Sequence, residues 1–305
     1  MAREGRGKAC AVHLSVREKS SGEEICMYKI LKKHQFSEKV FEFRCEAPQM
    51  AKKAHAGQFL MVRANEEGER VPFTLAGWNP EEGWIEFIFM VIGKTTEMLS
   101  KLEEGDYIQD LTGPLGNPTE IEGERVAVIG GGVGLAIAYP VARTFCQQGK
   151  KVSMIMGART KDLLLLTDQI KALPLEGLYI TTDDGSEGEK GVVTLPLKRL
   201  CEAGAIDAAF CVGPVPMMKF SAITCQEENV PIIASLNPIM VDGTGMCGCC
   251  RVEVGGKTKF ACVDGPDFDA TLVDWNDLRA RQGSYRTEEG IALKAYEEET
   301  CACHR

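Results

Sequence analysis

Three thiols and one carboxylate in the last quarter of the chain stand at spacings that suit a metal centre. Asp242-Gly-Thr-Gly-Met-Cys247-Gly-Cys249-Cys250 is followed, with eleven residues between Cys250 and the next thiol, by Cys262 in Phe260-Ala-Cys262. Cys247 and Cys250 can clamp one side of a cluster through a tight Gly-rich turn, and Cys262 can return to them on a hairpin. Thiolates in this order ligate iron–sulfur clusters, and Asp242 stands where the plant-type order has a fourth Cys. Zinc and a disulfide are rival readings of the same residues. Zinc would need Asp242 or Cys249 as its fourth ligand, and adjacent Cys249 and Cys250 do not easily face one metal together. A cluster would make this a carrier of single electrons. Cys301-Ala-Cys303-His304 also looks like a metal tract but reads better as an incidental tail.

A second group of residues suits a nucleotide. Gly130, Gly131, Gly132 and Gly134 follow an apolar run and precede a helical stretch. Glycines there let backbone approach a pyrophosphate, while the helix start supplies N–H groups. Leu135 occupies the last glycine position of the usual fingerprint, so a plain strand-to-helix turn is the rival reading. The next strand ends at Gly157-Ala-Arg159-Thr160, without the acidic residue that normally holds an NAD ribose. Arg159 reads equally as a partner for a 2′-phosphate or as a surface charge. Cys211-Val-Gly213-Pro214 ends a further strand, where ligands of open α/β sheets gather; Cys211 there lines a nicotinamide pocket or is simply a small buried residue. Asp184, in Thr182-Asp-Asp184-Gly-Ser186, marks a turn or a cofactor rim. Nearer the N-terminus, Arg70-Val-Pro72-Phe73-Thr74 combines a cation, an aromatic and a hydroxyl. Gly93-Lys94-Thr95-Thr96 is rich in phosphate-binding groups.

The elements that must hold these residues fall into units. Residues 1–26 are charged and unpatterned, an extension expected to be poorly ordered, with Met27 a candidate natural start. Alternating runs at 28–31, 40–45, 58–63 and 84–92, set between Gly and Pro turns, predict a small antiparallel barrel over 27–123. From 124 to 234 strands alternate with helices: strands at 125–130, 151–157, 178–182 and 208–213, helices at 135–148, 162–172 and 195–203. That alternation predicts an open parallel sheet. The cysteine segment spans 235–275, and a charged, mostly helical tail runs over 276–305. The predicted fold class is thus multidomain α/β plus β.

Composition excludes several classes. The formal net charge of −9 disfavours nucleic acid and anionic membrane surfaces. No apolar stretch approaches the roughly 18 residues of a spanning helix, and the first 30 residues hold no apolar core of signal-peptide type. A cytoplasmic location is the expectation. Thirteen Cys is an odd count, so complete internal pairing is impossible. In the cytosol, clustered Cys more often bind metal than form bridges.

In this order the pieces resemble the electron-transfer subunits of the ferredoxin–NADP reductase superfamily. The likeness covers roughly residues 27–275. Within that group the chain is similar to dihydroorotate dehydrogenase electron-transfer subunits, and more so to the small subunits of NADH-dependent ferredoxin:NADP oxidoreductase and sulfide dehydrogenase. Asp242 discriminates: the dihydroorotate subunits carry Cys-x4-Cys-x2-Cys there, whereas the transhydrogenase type has a [2Fe–2S] cluster with one Asp and three Cys ligands. The resemblance implies Asp242, Cys247, Cys250 and Cys262 as ligands. It implies FAD on the barrel through Pro72, Phe73 and Thr74, with Gly93 to Thr96 at its phosphates, and NAD(H), or NADP(H), on Gly130 to Gly134. One departure concerns Arg70, which lies four residues before Thr74 where the family's flavin-binding Arg lies three before. A one-residue shift in a strand turns a side chain to the other face. The implied activity is a relay in which hydride from NAD(P)H reaches the flavin and electrons leave singly through the cluster. The implied partner is a larger iron–sulfur flavoprotein, with ferredoxin met only indirectly. A zinc or scaffold module is the non-catalytic alternative.

Overall fold

A computed structural model of the chain describes residues 15–18 and 24–302. The N-terminal unit is antiparallel. Its elements are β1 (Ser15–Glu18), β2 (Glu24–Ser37), β3 (Val40–Glu46), the short helix α1 (Pro48–Ala51), β4 (Phe59–Arg63), β5 (Val71–Asn79), β6 (Trp84–Met90), helix α2 (Lys94–Ser100), β7 (Tyr107–Ile108) and β8 (Asp110–Leu115). The strand order is β1-β2-β3-β6-β5-β4-β8, and β7 pairs with β2, bringing the sheet round on itself. Alternating aromatics set the register: Phe41 faces Phe89 and Phe43 faces Phe87 across β3 and β6. Such cross-strand aromatic pairs are the stabilising unit of a sheet. Phe43, Phe87, Phe89, Leu60, Leu75 and Ile85 are fully buried in this core.

The extension expected over 1–26 is partly built into this sheet. Ser15–Glu18 pairs with Glu24–Met27, and the remainder of that extension lies outside the described residues.

The second unit holds β9 (Arg125–Gly131), α3 (Leu135–Gln147), β10 (Lys151–Ala158), α4 (Thr167–Lys171), β11 (Gly177–Thr182), β12 (Glu189–Lys190), α5 (Thr194–Glu202), β13 (Ala208–Val212), α6 (Val215–Glu227) and β14 (Ile232–Ser235). These strands run parallel in the order β12-β11-β10-β9-β13-β14. Winding reverses between β9 and β13, which is where ligands of such sheets bind. A helix over 162–172 is replaced by a 3-10 turn at Lys161–Leu163 and the shorter α4. Leu166, at φ +56°, sits between them in the left-handed region and stops one helix running through.

The cysteine segment contributes β15 (Arg251–Val254), β16 (Lys257–Phe260), α7 (Ala261–Asp264) and β17 (Asp267–Asp269). β15 and β16 form a hairpin turned by Gly255 and Gly256, both at positive φ, as two-residue hairpin loops require. β17 adds antiparallel to β14, which ties this segment to the second unit's sheet. Helices α8 (Trp275–Gln282) and α9 (Arg286–Ala302) complete the chain. One buried cluster spans all three units: Phe59 and Met61 of the barrel, Ala127 and Ile129 of β9, and Cys250, Val252 and Cys262.

Candidate cofactor and electron-transfer site

A cavity of about 1750 Å³ opens between the barrel and the parallel sheet. It exceeds the roughly 300–1,000 Å³ of an ordinary small-molecule site, as a place for two dinucleotides must. The barrel contributes Arg70, Pro72, Phe73, Thr74 and the Gly93–Thr96 stretch to its wall. Phe73 stacks on Phe87 with ring centroids 5.4 Å apart, which fixes the strand beside it. Arg70 precedes β5 rather than lying in it, and its guanidinium is paired with Asp110 at 2.5 Å. The hydroxyls of Thr95 and Thr96 serve the chain itself. Thr95 accepts from Glu69 N–H, and Thr96 accepts from Ile92 and Gly93 N–H. They shape the loop and leave Lys94 as its cavity-lining cation.

On the facing wall, Gly131, Gly132 and Gly134 line the cavity together with Arg159, Gly213 and Pro214. A Cβ at Gly134 would lie 2.6 Å from Val212 O, and one at Gly131 would lie 2.3 Å from Met217 Sδ. At Gly134 the two strand-end loops of the winding reversal therefore pack backbone to backbone and leave room for glycine alone, whereas the neighbour of Gly131 is the end of a flexible side chain. Gly130 is beneath this surface, where a Cβ would meet Ala138 and Leu135 of α3. Cys211 lies inside β13, fully buried, and burial pushes its thiol up; it is not on the cavity wall. Asp184 is exposed and accepts from Ser186 N–H and Oγ, which holds its carboxyl below the usual range. Asp183 lines the cavity in its place.

The cluster loop begins at the cavity rim. Val241 lines the cavity and Asp242 follows it. Gly243 lies on the barrel: a Cβ there would meet Met61 Cγ at 2.7 Å and Leu115 Cδ1 at 2.9 Å. Asp242 accepts from the Thr244 hydroxyl and from Thr244 N–H at 3.0 Å. These bonds, then Met246 N–H and the Arg70 charge, hold its carboxyl below the usual range. Gly245 N–H serves Cys262, whose thiol burial and the neighbouring Cys250 push up to about 12. Cys250 and Cys262 place their sulfurs 3.1 Å apart, both free thiols. Cys247 is exposed on the far side of the turn. No three His, Cys, Asp or Glu groups among the described residues stand at single-ion distances. A two-iron cluster is larger than one ion, and the observations that fit it are the two convergent thiols and the run of loop amides turned to Cys262 and Asp242. Arg251 and Arg281 grip the other side of the turn through the carbonyls of Gly248 at 3.3 Å and Cys249 at 3.4 Å.

Residues unnoticed in the sequence complete the region. Arg281 and Asp110 carry no local motif and are joined to the site only by the fold. Asp267 sits at the meeting of the three units, accepting from Thr119 Oγ1 at 2.5 Å. Its Oδ1 is buried without a partner, and burial raises its carboxyl to about 6.

Comparison with known proteins agrees with this layout. Residues 27–119 match the oxidoreductase FAD-binding domain, 128–222 the oxidoreductase NAD-binding domain, and 237–274 the iron–sulfur cluster binding domain of dihydroorotate dehydrogenase B. Solved structures below 25% identity, such as the ferredoxin reductase in carbazole 1,9a-dioxygenase (TM-score 0.58, 22% identity, covering 68% of this chain and 66% of that chain), share the fold. Fold and cavity define an NAD(P)H-dependent iron–sulfur flavoprotein oxidoreductase subunit that takes FAD, NAD(H) and an iron–sulfur cluster. A chain of the NADH-dependent reduced ferredoxin–NADP oxidoreductase structure is 47% identical, with TM-score 0.83 over 88% of this chain and 98% of that one. The Thermotoga maritima "dihydroorotate dehydrogenase B (NAD(+)), electron transfer subunit homolog" is also 47% identical, over 88% of this chain and 95% of its own. The Desulforamulus reducens dihydroorotate dehydrogenase B electron transfer subunit is 32% identical over 81% and 97%. The chain belongs to the family of dihydroorotate dehydrogenase B-type electron-transfer subunits. Among the described residues no helix is long and apolar enough to cross a membrane.

Proposed function

We propose that this subunit takes electrons from NAD(P)H and passes them singly, through a [2Fe–2S] cluster held by Asp242, Cys247, Cys250 and Cys262, to a larger iron–sulfur flavoprotein partner. The observation that carries this reading is the cluster loop's position: it leaves the cavity wall at Val241 and lies on Met61 and Leu115 of the barrel. Flavin and cluster supply, respectively, hydride acceptance with single-electron release and one-electron transfer. The chain's own residues bind and orient. The Gly131–Gly134 and Gly213–Pro214 backbones would hold the nicotinamide dinucleotide, and Pro72 to Thr74 would present the barrel strand to the flavin. Thr244 and the loop amides orient the Asp242 carboxylate and hold its carboxyl below the usual range. The absence of an acid at the end of β10, with Arg159 on the cavity wall, leaves a 2′-phosphate acceptable.

The reaction we favour is that of an NADH-dependent ferredoxin:NADP oxidoreductase, because the relative named for it matches 98% of its length and because Asp242 replaces the thiol of the dihydroorotate subunits. Affinity capture of the native complex checks the partner. A flavoprotein with further iron–sulfur clusters is expected; capture of a dihydroorotate dehydrogenase catalytic subunit would move the chain to pyrimidine synthesis. Anaerobic NADH added to the purified subunit should bleach flavin absorbance and give a reduced-cluster EPR signal, and a colourless zinc protein would end the reading.

A further inference from the structure

A helix beyond the three family-matched spans forms a wall of the cofactor cavity. Tyr285, Glu288, Glu289 and Ala292 all line it. Glu289 N–H bonds Tyr285 O at 2.9 Å, so the helical course of α9 opens at Tyr285. One turn beyond Ala292, Tyr296 packs on the barrel core, with Lys101 Nζ 4.7 Å from its ring centroid. Positions three and four apart share a helix face. A single face of α9 therefore runs from cavity to barrel, over roughly 16 Å at 1.5 Å per residue. The other end is fixed as well, since Gln282 Nε2 donates to Asn237 O and Oδ1, both at 2.8 Å. The stretch between is a strap held at both ends.

Its chemistry selects a ligand. The cations of the cavity, Arg70, Lys94 and Arg159, stand on other walls; Lys94 and Arg159 suit phosphate, while Arg70 is paired with Asp110. Two carboxylates repel phosphate and accept hydrogen bonds from hydroxyls and amines. A phenol ring offers a face to a flat heterocycle. Acids in a first turn also favour the helix dipole, but that role does not require them to border a cavity. A ribose with free hydroxyls joined to a planar base bearing an exocyclic amine answers all three groups. Both dinucleotides contain such an adenosine, and α9 packs on α2, the helix that begins at Lys94 of the barrel loop.

We propose that Tyr285, Glu288 and Glu289 bind the adenosine half of the flavin dinucleotide. The assignment rests on flavin lying along β5 and the Gly93–Thr96 loop. The test is titration of the full-length, flavin-stripped protein with FAD and separately with FMN, which lacks the adenosine. For Y285A and for E288A/E289A, the Kd for FAD should rise about tenfold, as loss of a stacked ring or charge-assisted hydrogen bonds implies, with FMN affinity unchanged. Y285F, which keeps the ring, should bind FAD as the wild type does. Unchanged FAD affinity in Y285A and E288A/E289A, or equal weakening of FAD and FMN, overturns the proposal. A raised KM for NADH with FAD unchanged also overturns it, assigning the strap to the other dinucleotide. A wild-type chain that binds neither flavin would instead overturn the placement of flavin on the barrel.

Discussion

The glycine loop of the parallel sheet and the cluster loop are both glycine-rich turns, but they are held by different forces. Gly134 is required by space: an added Cβ would sit 2.6 Å from Val212 O and 2.9 Å from Gly213 Cα. Packing of backbone on backbone beneath the loop dictates its shape at Gly134 before any ligand arrives. Gly243, Gly245 and Gly248 are required by conformation, at φ +85°, +84° and +68°. Around them Met246 is 89% exposed and Cys247 is exposed. Their turn is held by a few hydrogen bonds, to Asp242, Arg251 and Arg281. A close-packed segment keeps its shape alone, whereas a loop with few buried contacts opens locally and draws stability from its metal. The nucleotide site is built by the fold, and the cluster site is completed by what it binds.

The largest effect should come from removing a thiol that the cluster loop cannot replace. Cys262→Ala is expected to abolish visible cluster absorbance and to leave residues 237–274 the fastest-exchanging part of the folded chain by hydrogen exchange. Retained slow exchange there would mean that this loop, too, is held by packing. Next, Gly134→Val should force Val212 and Gly213 apart, costing about 1–3 kcal/mol of stability as overpacking does. KM for NADH in dye reduction should rise by about 10- to 100-fold, the same free energy expressed in binding, with flavin content intact. Cluster content unaltered by this change would support the independence of the two loops.

Asp267 sharpens the comparison where both regions join. Its folded-state carboxyl is raised to about 6, above the roughly 3.9 of an unfolded Asp. The folded state therefore holds the extra proton, and stability falls as pH rises from about 4 to about 6, with the penalty constant above that. Asp267→Asn keeps the shape without the charge. It should raise stability by up to about 3 kcal/mol at pH 8 and by little at pH 4, read from denaturant midpoints at the two values. The smallest effect is expected for Arg281→Ala, which loses one long hydrogen bond to Cys249 O. It should cost about 0.5–1.5 kcal/mol and speed amide exchange over 247–250 alone.

What was legible in the sequence follows the same division. Period-two aromatics placed the barrel strands, and the apolar run before Gly130 placed β9, because burial on a sheet face leaves a repeating pattern. Cysteine spacing marked the cluster loop, since ligands of one centre lie close in sequence. Helix α6 left no such pattern: Phe220 and Ile223 are exposed at the cavity while Ser221 and Thr224 are buried, so polarity does not mark its inner face. Cys211 sat at a promising strand end, yet a residue near the end of a central strand points into the core as readily as into the cleft, and Asp184, two residues beyond β11, turns to solvent and Ser186. The pairing of Arg70 with Asp110, and the grip of Arg281 on the cluster turn, join residues 40 and 32 positions apart. No local spacing reveals such contacts. The tail was legible as a helix, but its course over the cavity depends on Tyr296 finding the barrel.

In the proposed relay Asp242 is a ligand of the cluster through which electrons leave. EPR of the reduced full-length protein tests it most directly, comparing wild type with Asp242→Cys. A reduced [2Fe–2S] signal is expected in both, with changed g-values when thiolate replaces carboxylate. Identical spectra would contradict it and remove Asp242 from the cluster.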